Sequence, residues 1–208
     1  MKPKQILDFI HYAEGLKKVL RHEWLSNGEQ VDVAEHCWRA SLLLLLLYPY
    51  LEHKVDLLKC LKMIVIHDIN EVTVGDTPAF LRPYKEEQCK LERKNMEDLK
   101  QKYNSPLMDE FFNLWDEYEQ LKTKEAKFVR AVDKLEAWIQ HNESDIKTWN
   151  DIEYPRSQYI HNEYCKHDKF LTLFKNLVSA ESKQKILDES DKDFEDIKRQ
   201  VKAFTEDN

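Results

Sequence analysis

Glycine and proline are scarce, at 3 and 6 of 208 residues. Folds rich in hairpins and tight loops draw heavily on the positive φ of glycine and the fixed φ of proline. A β-rich architecture is therefore excluded and a helical one expected. An excess of positive charge is also missing: 32 Lys and Arg stand against 39 Asp and Glu, a net charge of -7. Such a chain offers nothing attractive to a nucleic-acid backbone or an anionic membrane, so neither a nucleic-acid polymer nor a membrane is expected as partner. No apolar run approaches the roughly 20 residues that span a bilayer. The longest, Leu42 to Leu47, stops before Pro49 and reads as a core helix surrounded on all sides. Cys37, Cys60, Cys89 and Cys165 form no C-x-x-C pair, and Met1 leads into charged residues rather than a secretory leader. Reduced thiols in a cytoplasmic protein are expected.

What is present is helical periodicity. Ile6, Leu7, Phe9, Ile10, Ala13, Leu16, Val19 and Leu20 predict an amphipathic helix ending near Arg21, before the break at Ser26-Asn27-Gly28. Asp32 is placed to cap a second helix that runs to Tyr48-Pro49, and Asp56 or a neighbour a third that runs into His67-Asp68. The stretch NEVTVGDTPAFLRPY, from Asn70 to Tyr84, holds Gly75, Pro78 and Pro83 and reads as an irregular site loop. Further helices are predicted over Lys85–Tyr103, Pro106–Leu121 and Lys124–His141. Beyond Asn142 an aromatic loop and one short helix are expected, then helices over Phe170–Val178 and Phe194–Phe204, with Asp188–Asp193 as a solvated stretch. The expected class is all-α: one domain over 1–208, with 144–208 as a C-terminal helical extension packed on it.

The informative pair is His67-Asp68, because an adjacent imidazole and carboxylate terminate the strongly apolar helix in MIVIHDINE. Neighbouring helical residues point about 100° apart, so both reach one ion only if it sits beside the helix end. Glu71 falls on their side if the turn continues, and Asp76 can return to the same place after Gly75. His36, in VAEHCWRA, is either a hydrogen-bonded core histidine or a ligand on an antiparallel neighbouring helix. Asp133 interrupts the apolar stripe of FVRAVDKLEAW. An unpaired buried carboxylate is costly, so it faces solvent, pairs with Arg or Lys, or binds a cation. Arg39 suits a salt bridge to Glu35 or Asp68 more than a phosphate, Lys134 a phosphate or the solvent, and Trp115, Trp138 and Trp149 the core or an interface. His11, His22, His53, His141, His161 and His167 show no ligand spacing and are given no function.

The segments AEHCWR, HDINEVTVGDTP and AVDKLEA resemble the HD-domain superfamily, in which a His, a His-Asp doublet and a distant Asp come from separate helices of one bundle. The resemblance spans about Ile6 to Glu143 and is strongest to the small HD hydrolases that act as 5′-deoxynucleotidases. It implies an HD-domain helical bundle and one divalent metal ion held by His36, His67, Asp68 and Asp133. This ligand set suits Mn, Co, Fe, Zn or Mg without choosing among them. Glu71 becomes the implied general base, and Asp76 a second acidic position that relays a proton or fixes substrate. Arg21 and Trp24 match the branch's Arg and Trp at the phosphate and sugar, with two residues between them. An indole against the 2′ carbon would exclude a ribose hydroxyl. The implied substrate is a small nucleoside 5′-monophosphate lacking that hydroxyl. Two alternatives remain: an HD hydrolase for another small phosphate ester, and a non-catalytic HD module that binds a nucleotide or a protein. Phe111, Phe112, Trp115 and the C-terminal aromatics exceed what one bundle needs, and a homodimer is expected.

Overall fold

The structure is a computed structural model that describes residues 1–78, 85–159 and 161–206. It is mostly helical. Helix α1 (Pro3–Ala13) runs through a 3-10 segment, Glu14–Lys18, into a two-stranded antiparallel hairpin of β1 (Leu20–Trp24) and β2 (Gln30–Asp32). Then come α2 (Val33–Leu47), α3 (Leu57–Ile66), α4 (Glu71–Val74), α5 (Lys85–Tyr103), α6 (Pro106–Gln120), α7 (Lys124–Glu143), α8 (Glu153–Tyr159), α9 (Asn162–Cys165), α10 (Lys169–Glu189) and α11 (Phe194–Glu206).

The hairpin corrects the first predicted helix, which does not extend to Arg21. From Leu20 the chain alternates, with Arg21 and Glu23 buried and Leu20, His22 and Trp24 more open, a period of two. Gly28, at φ +88, closes the hairpin in a conformation that strains other residues. The earlier Gly15 has a different reason: a Cβ there would lie 2.5 Å from Val72 Cγ1. Tyr12 adds a hydroxyl bond to Thr73 Oγ1 at 3.0 Å. The N-terminal segment thereby presses on α4, the turn that carries Glu71.

Helix α7 is the centre of the bundle, packing against α2, α3, α6, α9 and α10. Its apolar stripe is fully covered at Val129, Val132 and Leu135. The expected N-caps form: the Asp32 carboxylate accepts from the Glu35 backbone N–H, with Glu35 reaching back as a capping box, and Asp56 caps α3 through Lys59 N. Within the predicted irregular loop, Glu71–Val74 forms one helical turn ended by Gly75 at φ +75. Residues 79–84 of that loop lie outside the described residues.

Three other expectations change. Helix α2 is not surrounded: Ala40, Leu44 and Leu47 are buried, but Leu42 and Leu45 are each 44% exposed and Leu46 59%. Neighbours cover one side of that helix, and a run of leucines cannot report how many sides are covered. Helix α10 runs on to Glu189, well past Val178, because Ser182 and Ile186 are buried on its inner face, where the Ser182 hydroxyl accepts from Trp138 Nε1 at 2.9 Å. Asp188 and Glu189 end that helix, and the stretch on to Asp193 is solvent-exposed as expected, apart from the half-buried Ser190. Trp115 is buried, and Phe111 and Phe112 pack against the chain's own core, so they are not spare surface for a second copy. No described helix is long and apolar enough to cross a membrane.

Candidate metal centre

Four side chains from three helices converge beside the end of α3. His36 comes from the second turn of α2, His67 and Asp68 from the turn that closes α3, and Asp133 from the middle of α7. The His36 Nε2 atom lies 3.4 Å from Asp133 Oδ1 and 3.8 Å from Asp68 Oδ2. The His67 Nε2 atom lies 3.1 Å from Asp68 Oδ2 and 3.8 Å from Asp133 Oδ1.

The opposite ring nitrogens are already engaged. His67 Nδ1 meets the Ile64 carbonyl at 2.7 Å, and His36 Nδ1 meets the Glu136 carboxylate. An acceptor at Nδ1 fixes the tautomer that leaves an Nε2 lone pair. Both Nε2 atoms are buried without a hydrogen-bond partner, and an unsatisfied buried polar atom is costly. Two lone pairs facing two carboxylate oxygens fit a divalent cation, and His36, His67 and Asp133 meet the spacing for one.

The electrostatics agree with that fit. Burial and Arg21 lower the affinity of His36 for a proton, but Glu136 and Asp133 outweigh them and push its pKa up to about 10. Burial opposes the proton on His67 too, yet Asp68 and Asp133 raise its pKa well above the usual histidine range. Asp68 is lowered against its burial by His67 and Arg21, and Asp133 against its burial by Lys134, His36 and His67. The pocket thus demands positive charge between the carboxylates, which protons or a cation can supply.

Glu71 is buried at the edge of this group, and its Oε2 lacks a partner. Burial, then Asp68 and Asp76, raise its pKa well above the usual carboxylate range. Asp76 lines the same cleft after the Gly75 turn, and its carboxyl is raised mainly by burial. Arg21 points in from β1, its Nη1 3.4 Å from Asp68 Oδ2 and its Nε 3.3 Å from Glu23 Oε2.

Trp24 is not brought in. It does not line the cleft. Its ring packs edge-on against His22 at 4.8 Å, on the other face of β1 from Arg21, and its carbonyl accepts from Gln140 Nε2 at 2.7 Å. Arg39 also differs from expectation. Rather than Glu35 or Asp68, it grips Glu143 at 2.6 Å and Gln140 at 2.5 Å, and its Nε lies 3.5 Å from Glu136. Glu35 is occupied by the cap of its own helix. Lys134 lines the cleft with its Nζ 3.1 Å from Asp133 Oδ2.

Sequence reasoning missed Glu136, Tyr118, Arg130 and Glu23. Glu136 had a signal: it lies three residues after Asp133, a second acid in the same apolar stripe. Tyr118 and Arg130 belong to no recognised motif, and both line the cleft.

The family model described as HD domain matches residues 13–174. The chain belongs to the HD domain family. This HD-domain chain is 33% identical over 139 residues to "5'-deoxynucleotidase HDDC2" of Xenopus laevis, covering 66% of this chain and 68% of that protein. It is 30% identical to the Homo sapiens protein of the same name, covering 67% and 68%. Against "5'-deoxynucleotidase hdd1" of Schizosaccharomyces pombe it is 32% identical, covering 70% and 75%. Among solved structures, a "Predicted metal-dependent phosphohydrolase" of Magnetospirillum magnetotacticum superposes with a TM-score of 0.72 at 24% identity, covering 87% of this chain and 95% of that one. Membership of the HD domain family is thus shown independently of the motifs.

Proposed function

We propose that this HD-domain chain is a metal-dependent phosphomonoesterase that releases phosphate from 2′-deoxynucleoside 5′-monophosphates. The observation that carries the reading is the pair of unpartnered, buried imidazole Nε2 atoms facing Asp68 and Asp133, with Glu71 beside them. His36, His67, Asp68 and Asp133 would hold one divalent cation. Bound there, it would neutralise phosphate charge and acidify a water. Glu71 then receives the proton of the attacking water, a task suited to a carboxylate whose burial beside Asp68 and Asp76 makes it hold a proton more strongly than an ordinary glutamate. As the new oxygen–phosphorus bond forms, the bond from phosphorus to the 5′ oxygen breaks. The departing oxygen takes a proton, which the carboxyl of Asp76, raised mainly by burial and lining the cleft, would supply.

The phosphate meets cations on its other sides. Arg21, Arg130 and Lys134 all line the cleft, and a guanidinium matches phosphate geometry with two parallel donors. The sugar preference is supported by the named activity of the relatives. Trp24, which does not line the cleft, does not support it.

Phosphate release from matched 2′-deoxy and ribo 5′-monophosphates, assayed with Mn²⁺ or Co²⁺, tests the proposal. The deoxy series is expected to react faster by about tenfold or more. Equal rates would remove the sugar preference, and no release with any cation would end the hydrolytic reading.

The same proposal includes a homodimer. Trp38, Leu42, Leu45 and Leu46 share one face of α2 and are exposed, and a self-complementary apolar stripe is what two-fold pairing uses. Light scattering is expected to report twice 25.0 kDa for the native chain and a monomer for Trp38→Glu. A native monomer at micromolar concentration would refute it.

A further inference from the structure

We propose that Tyr118 is the positioning residue for Asp133, fixing that carboxylate so that one oxygen alone is offered to a bound cation. The inference rests on the reading of the metal centre above. Helix α6 supplies none of the four candidate ligands, yet it packs against both α3 and α7, the helices that carry three of them.

The two oxygens of Asp133 have separate surroundings. Oδ1 faces His36 Nε2 at 3.4 Å and His67 Nε2 at 3.8 Å. Oδ2 is turned away and accepts from the Tyr118 hydroxyl at 2.5 Å, with Lys134 Nζ at 3.1 Å. A carboxylate free to rotate could present either oxygen, or both at once. Two-oxygen chelation would occupy a coordination position that a water or a phosphate oxygen needs. The phenol prevents this by occupying Oδ2 with a short, charge-assisted bond.

Tyr118 suits this role better than Lys134 does. The Lys134 side chain is 33% exposed and follows Asp133 on the same helix, so it moves with its partner on a flexible stem. Tyr118 is 3% exposed and reaches across from a different helix. Its ring is pinned on two sides: edge-on to the His67 imidazole at 5.3 Å, and beneath the Arg130 guanidinium at 3.9 Å. One phenol therefore touches both Asp133 and His67, and Arg130 holds it in place. Groups that orient metal ligands in this way typically change metal affinity by about 10–100-fold when removed.

The test is Mn²⁺ affinity by titration calorimetry on the full chain, with the Co²⁺ absorption spectrum as a second readout of ligand geometry. Tyr118→Phe keeps the ring and its packing and removes only the hydroxyl. It is expected to weaken Mn²⁺ binding by about 10–100-fold and to alter the Co²⁺ bands, while the far-UV circular dichroism of the metal-free protein is unchanged. Lys134→Met is expected to weaken binding less. Affinity within twofold of the native chain for Tyr118→Phe, or a larger loss for Lys134→Met, would overturn the assignment. Failure of the native chain itself to bind either cation would instead overturn the metal-centre reading, so the two failures are told apart.

Discussion

Asp133→Asn is expected to strip the protein of its divalent cation and to lower kcat/KM by about three orders of magnitude or more, the scale of several kcal/mol of lost charge stabilisation. Asp133 Oδ1 is the oxygen that faces both imidazoles, so it is the atom that joins α7 to the two histidine-bearing segments through the cation. An amide in its place removes a full negative charge from a pocket whose electrostatics demand a cation. The substitution is nearly isosteric, and the amide oxygen can still accept from Tyr118, so the fold is expected to persist. Metal content after dialysis, read beside kcat/KM and circular dichroism, decides the matter. A folded variant that retains stoichiometric metal and a tenth of the native activity would exclude Asp133 as a ligand.

Glu71→Gln is expected to separate binding from chemistry. Metal content and KM stay near native, and kcat falls by about 10²–10⁴-fold, the usual contribution of a positioned general base. Glu71 lies beside the ligand cluster with Oε2 unpartnered. The pH profile supplies the sign. A base must be ionised to work, and burial together with Asp68 and Asp76 holds Glu71 protonated to higher pH than an ordinary glutamate. Activity of the native enzyme should therefore rise with pH through a value above the usual carboxylate range, and the residual activity of the variant should lack that limb. A native-like kcat in the variant would remove Glu71 from the reaction. If metal is lost along with kcat, Glu71 is instead a ligand.

The His67-Asp68 doublet was legible because a polar pair at the end of an apolar helix violates the pattern around it, and local pattern is what a sequence displays. Asp133 was legible for the same reason. Glu136 broke the same stripe and passed unremarked, although it holds His36 Nδ1. The hairpin was misread because Val19 and Leu20 happen to continue the helical spacing of α1, and only the alternate burial of Arg21 and Glu23 marks a strand. The leucines of α2 overstated its burial, since composition carries no record of which neighbours arrive.

The helical class and the polar residues that interrupt apolar helices followed from sequence, because hydrophobic period and the cost of an isolated buried charge act within a few residues of one another; their grouping as one ligand set came from the family resemblance. Which atoms face which was decided by tertiary packing. Arg39 turned to Glu143 rather than to its helical neighbour, Trp24 was left outside the cleft, and Tyr118 was carried by α6 onto an aspartate fifteen residues away. Those outcomes depend on the angle at which helices cross and on which side of a strand faces inward, quantities set only when the whole bundle closes.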